Sequence, residues 1–176
     1  VIKYKLDQAH PYYQDVIPQI YNLLQAKYPL ARLREVNIYE PEDNDTSMAV
    51  ALSGGIIQLN GYWFCRNPDH LQDAAKRDVY VPAGDTFIGW HGEMTKEPDH
   101  VLVHEFFHIL AQNIQDWEQW AVWAWEYATA RPELAPTGYA LAEPTEMWAE
   151  AMAARELGFK FGLLDSLESF LNSRLK

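Results

Sequence analysis

His104-Glu105-Phe106-Phe107-His108 is the stretch from which the rest of this chain is read. On an α-helix each residue advances about 100°, so side chains at i and i+4 sit ~40° apart around the axis and one turn apart along it. Two imidazoles so placed can grip one tetrahedral Zn²⁺ at ~2.0–2.1 Å each. Glu105 projects to the side of the pair, where it can take a proton from water at the metal without being a ligand. The blander alternative is two satisfied core histidines and a glutamate on the helix surface. The flanking sequence supports a helix: Glu97-Pro98-Asp99 looks like a start, with Pro tolerated in the first turn and carboxylates near the positive end. Val101, Leu102, Phe106, Ile109 and Leu110 then give an apolar face at helical spacing, so the helix is expected to have one side in a core.

Catalytic zinc sites take three protein ligands and leave a position for water. No histidine follows His108, so the third ligand is expected to be a carboxylate from a downstream helix. Glu143-Pro144-Thr145-Glu146-Met147-Trp148-Ala149-Glu150 opens such a helix and places Glu146 and Glu150 four apart on one face. Met147, Ala151, Ala154 and Leu157 would seat it against the domain, and Gly158 would end it. Charges at this spacing more usually form a solvated face. The spacing alone leaves Glu146, Glu150 and Glu143 open as the ligand. One of the first two can bind metal while the other receives the second nitrogen of a ligand histidine.

Between these segments, Asp116 looks like an N-cap with Gln119 in the capping-box position, opening a helix that runs to Arg131 before Pro132. It carries Trp117, Trp120, Trp123 and Trp125. Aromatic core packing is the expected role, ahead of a pocket for a ring, a proline or a sugar. A last helix is expected from about Ser166 to Leu175, docked by Leu167, Phe170, Leu171 and Leu175.

Upstream, residues 11–28 read as a helix and residues 33–40 and 47–52 as strands. Residues 40–46 form an acidic turn, and Gly54-Gly55 punctuates the chain. Residues 56–64 look like a third strand broken near Gly61, residues 69–76 like a short helix, and residues 78–82 and 85–91 like two short strands. Strands followed by helices predict a single α+β domain over 1–176. Its helix-plus-sheet part spans 1–97, and a helical part at 98–176 carries the metal ligands.

Composition fits that reading. A chain of 176 residues with 48% hydrophobic content can bury a sizeable core. The net charge of −11 argues against nucleic-acid binding, which needs clustered Lys and Arg. No stretch has the apolar length to span a bilayer. The chain begins at Val1 and is expected to be a mature or trimmed form. Cys65 is the only cysteine, so no internal disulfide forms; it is expected to be a small buried hydrophobe rather than a nucleophile.

Five segments then occur in one order: Val79-Tyr80-Val81-Pro82, Trp90-His91-Gly92, His104-Glu105-Phe106-Phe107-His108, Gly138-Tyr139 and Glu146-Met147-Trp148-Ala149-Glu150-Ala151. The series, covering roughly residues 79–155, resembles the catalytic domain of anthrax lethal factor and its relatives, including the small secreted Pro-Pro endopeptidases. These are gluzincin metallopeptidases, in which a Tyr precedes by seven residues a ligand Glu that opens an E-x-x-A-E segment. Tyr139 and Glu146 have that spacing here, and Ala149-Glu150 completes the segment.

The resemblance implies a zincin-like fold, with a small twisted sheet ahead of the catalytic helix. It implies His104, His108 and Glu146 as ligands of one Zn²⁺, Glu105 as general base, and Tyr139 as hydrogen-bond donor to the oxyanion. Glu150 becomes the carboxylate beside a zinc-bound histidine. The strand at 85–91 becomes the edge that pairs with an extended substrate; Trp90 and His91 at its end are candidate substrate contacts, with an ordinary loop histidine the blander reading of His91. Phe107 stands where many relatives carry Gly, which is expected to alter helix packing and the site floor. The expected function is a secreted, monomeric zinc endopeptidase acting on a peptide or protein. Its alternatives are a zinc hydrolase of a glycan or cell-wall polymer, and a catalytically silent binding module.

Overall fold

The structure, a computed structural model, describes residues 1–43, 45, 47–74 and 99–175, and elements are numbered over these residues. Strand β1 (Lys3–Lys5) leads into helix α1 (Pro11–Lys27), whose Tyr13, Ile17, Tyr21 and Leu24 form a buried stripe at helical spacing. The chain returns as β2 (Glu35–Tyr39), parallel to β1. β3 (Ala49–Leu52) and β4 (Ile56–Asn60) make an antiparallel hairpin with Ala51 opposite Ile57. β4 pairs in parallel with β2, giving a mixed sheet of order β1-β2-β4-β3. Gly54 and Gly55 turn the hairpin with positive φ, and a Cβ on Gly55 would collide with the Arg32 carbonyl.

The expected strand at 56–64 stops at Asn60. The Asn60 side chain accepts from the Tyr62 amide at 2.8 Å and donates to the Ser47 carbonyl at 2.7 Å, which caps the short helix α2 (Gly61–Phe64). Aromatic Tyr62, Trp63 and Phe64 have strand propensity, but the cap prevails. Cys65 follows at the end of α2 and is exposed rather than buried. β1 was not expected at all. Helix α3 (Pro68–Ala74) lies within the expected 69–76 but for one residue at its start. The expected strands at 78–82 and 85–91, with Trp90 and His91, lie outside the described residues.

Helix α4 (His100–Ala111) is buried at every position but His108. The expectation of one buried side was too modest, because α4 is wedged between β3, α1 and α6 (Pro144–Glu156). Its second apolar set, Val103 and Phe107, finds partners there. The Phe107 ring packs edge-on against Tyr28 at 5.3 Å, and its carbonyl accepts from the Trp148 indole at 3.0 Å.

Helix α5 (Trp117–Ala130) has the expected bounds but a different start. Asp116 is left-handed, φ 61°, and its carboxylate caps no amide; it accepts instead from Gln119 at 3.3 Å and Arg174 at 3.0 Å. Trp120 is buried, and Trp117 and Trp125 pack against the core. Trp117 and Trp120 both contact Trp148 of α6, whereas Trp123 is 46% exposed. Helix α6 ends as expected at Gly158, φ 82°. There the Phe159 amide bonds the Ala154 carbonyl at 2.8 Å and the Gly158 amide bonds Arg155 at 3.2 Å, a Schellman motif. Helix α7 (Leu164–Asn172) docks through Leu167 and Leu171. The architecture is α+β, and among the described residues no helix is long and apolar enough to cross a membrane.

Candidate metal centre

Helices α4 and α6 pack along each other and bring two histidines and one glutamate to a point. His104 Nε2 and His108 Nε2 stand 2.9 Å apart. Glu146 Oε2 lies 3.0 Å from the first and 3.4 Å from the second. That oxygen is buried, yet no hydrogen bond of acceptable angle reaches it. Three potential ligand atoms thus crowd one point, each within 3.4 Å of the other two. A buried carboxylate oxygen without a hydrogen bond is costly, and an ion at the centre would satisfy it. These residues can hold a metal ion.

Behind this centre is a second layer. Glu150 is fully buried, which rules out the solvated face that its spacing allowed. Its Oε1 accepts from His104 Nδ1 at 2.6 Å and from His100 Nε2 at 3.0 Å. Its Oε2 accepts from the Thr137 hydroxyl at 2.6 Å. With a metal at the centre, the carboxylate beside Nδ1 would keep the one remaining His104 proton there and leave Nε2 to the ion. His100, His104 and Glu150 also lie close enough to share an ion, but here their atoms are engaged in hydrogen bonds.

The charges are strongly biased. Burial opposes charge on Glu146, but the neighbouring imidazoles of His104 and His108 outweigh it and bring its pKa down to about 2. Glu150 is lowered further: burial again opposes the shift, and His100 and His104 overcome it. Burial also disfavours charge on His104, yet Glu146 and Glu150 hold its pKa well above the usual imidazole value.

Glu105 is buried on the same helix, and burial raises its pKa above the ordinary carboxylate range. His104 and His108 pull it back down, and the backbone amide of Ala51 in β3 adds to that pull. A carboxylate whose charged form burial disfavours is suited to accept a proton. Tyr139 opens a single 3-10 turn (Tyr139–Leu141), its ring 5.9 Å from that of His104. Burial, followed by the charge of Glu146, raises its pKa, so the phenol keeps its proton; it hydrogen-bonds Glu146.

All the expected site residues in the described chain therefore meet: His104, Glu105 and His108 from α4, Glu146 and Glu150 from α6, and Tyr139 from the turn before it. Sequence reasoning missed two members. His100 stands four residues before His104, and its place on the same helical face was a readable signal. Thr137 had none, since a lone threonine after Pro136 belongs to no periodic pattern. The chain matches no protein-family model, no curated protein and no solved structure.

Proposed function

We propose that this chain is a zinc-dependent endopeptidase with a zincin-like fold of the lethal factor type. One observation carries the reading: His104 Nε2, His108 Nε2 and Glu146 Oε2 converge within 3.4 Å of one another, with buried Glu105 and protonated Tyr139 beside them. Donors at ~2.0–2.1 Å from a tetrahedral zinc lie ~3.3 Å apart, close to this spacing. Two imidazoles and one carboxylate are also the donor set that leaves zinc an open position.

His104, His108 and Glu146 would hold the zinc. When bound, the metal supplies Lewis acidity and brings the pKa of water towards ~7. Glu105 accepts a proton from the attacking water and passes it to the leaving amine. The Tyr139 hydroxyl turns its donor to the scissile carbonyl oxygen as negative charge develops there. Glu150 keeps His104 in the Nδ1–H tautomer. β3 is the end strand beside α4 among the described residues, and its Ala51 amide lies near Glu105. The strand expected at 85–91 to pair with an extended substrate lies outside the described residues. A glycan substrate has less support, because Trp117, Trp120 and Trp125 are committed to the core.

The test is a fluorogenic peptide library assayed with the chain as purified, after chelation, and after zinc is restored. Cleavage that disappears with chelation and returns with zinc is the expected result. Cleavage indifferent to chelator, or no cleavage by zinc-loaded protein, would sink the peptidase reading.

A further inference from the structure

We infer that Thr137 is a positioning residue that sets the metal ligand His104 and the oxyanion donor Tyr139 together, an inference that rests on the metallopeptidase reading above. Thr137 is fully buried. Its single hydroxyl proton goes to Glu150 Oε2 at 2.6 Å. Its oxygen accepts from the Ala140 amide at 3.1 Å. A hydroxyl has one donor and two acceptor sites, so these partners fix the direction of its proton. The Ala140 bond leaves the hydroxyl hydrogen free for the carboxylate, and the carboxylate draws it there.

The two bonds lead to two different parts of the site. Through Glu150, Thr137 reaches His104 Nδ1, which that carboxylate holds at 2.6 Å. Through the Ala140 amide, it holds the 3-10 turn in which Tyr139 is the first residue. The other end of that turn is fixed independently, because the Trp125 indole donates to the Leu141 carbonyl at 2.9 Å. Trp125 anchors the turn to α5, and Thr137 anchors it to the carboxylate that orients the ligand. One hydroxyl therefore spans the distance between the residue that holds the metal and the residue that receives the developing charge.

Replacing this hydroxyl must then affect two quantities at once. Thr137→Val keeps the branched shape and removes both hydrogen bonds, whereas Thr137→Ser keeps the hydroxyl and loses only a methyl. Zinc affinity, read by competition with a chromophoric chelator, should fall ~10–100-fold in Thr137→Val and stay near the parent value in Thr137→Ser. At saturating zinc, kcat on a cleaved peptide should still be reduced in Thr137→Val. Much of that loss should vanish when the substitution is made in a Tyr139→Phe background, because the donor it positions is already gone. Far-ultraviolet circular dichroism and a thermal melt establish that the variants fold. Thr137→Ala, which leaves room for water at the Ala140 amide, serves if the valine variant does not.

Parent-like zinc affinity in a folded Thr137→Val would overturn the link to His104. Losses in kcat that simply add to those of Tyr139→Phe would overturn the link to Tyr139. The zinc arm needs no turnover, so a parent that binds zinc but cleaves no peptide sinks the peptidase reading and still lets that arm decide. A parent that takes up no zinc overturns both.

Discussion

Helix α6 is charged in its first half and again in its last turn, and the two sets meet different fates. Glu146 and Glu150 turn inward onto His104, His108 and His100, with Glu150 fully buried. Arg155 and Glu156 turn outward. Arg155 pairs with Glu168 of α7 at 2.7 Å, and Glu156 pairs with Lys27 of α1 at 2.8 Å and accepts from the Tyr28 hydroxyl at 2.7 Å. The outer network is partly solvated, with the Lys27 side chain 55% exposed. Such pairs typically contribute ~0–1 kcal/mol and pin helices together. The inner set loses hydration that its mutual contacts must replace, and buried ion pairs often do not recover that cost. Groups kept in that position are the ones to interpret chemically. The two sets differ most in their partners: Glu146 and Glu156 are about equally exposed, but the first meets histidines of low exposure and the second a half-exposed lysine, and the spacing of charges along a helix does not encode partners.

The sharpest way to break the comparison is to remove inner ligands. His104→Ala and Glu146→Ala should each lose zinc by metal analysis, while Glu150→Ala should only weaken it, by ~10–100-fold. If Glu150→Ala abolished binding and Glu146→Ala preserved it, the roles of the two glutamates would be exchanged. Next in size, Glu105→Ala should keep its zinc and lose ~10²–10⁴-fold in peptide hydrolysis. Activity close to the parent would mean that another group moves the proton. Tyr139→Phe deletes one oxygen and should lower kcat ~10²–10³-fold with KM little changed. An unchanged kcat on a peptide that the parent cleaves would remove Tyr139 from the mechanism. The outer set gives the smallest effect: Lys27→Ala should cost under about 1 kcal/mol in urea unfolding and leave zinc affinity alone. A change in zinc affinity there would show that the two ends of α6 are not independent.

What could be read in advance follows the range of the interactions. HExxH on α4 was legible because its partners are one turn apart. The expectation that Glu146 rather than Glu150 is the ligand was not fixed by spacing, which suited both equally; it needed a resemblance, and the inward turn of both residues emerges only from the packing of α6 on α4. The hydroxyl of Thr137 meets Glu150 across a turn that has no periodicity. Local misreadings have local causes. Tyr62-Trp63-Phe64 looked like strand until the Asn60 side chain capped a helix there. Lys3-Tyr4-Lys5 is too short and charged to stand out, and becomes a strand because it pairs in register with Glu35-Val36-Asn37. Asp116 has the right identity for a cap but a left-handed backbone, so its carboxylate is used elsewhere.

The near-complete burial of α4 also governs how the molecule fluctuates. Its amides are enclosed by β3, α1 and α6, so small local openings do not hydrate them. In deuterium exchange, the amides of Phe106 and Phe107 should be among the slowest, exchanging through global unfolding, whereas the short β1 exchanges by fraying. Cooperative unfolding would then separate the histidine pair and dismantle the fold in one event.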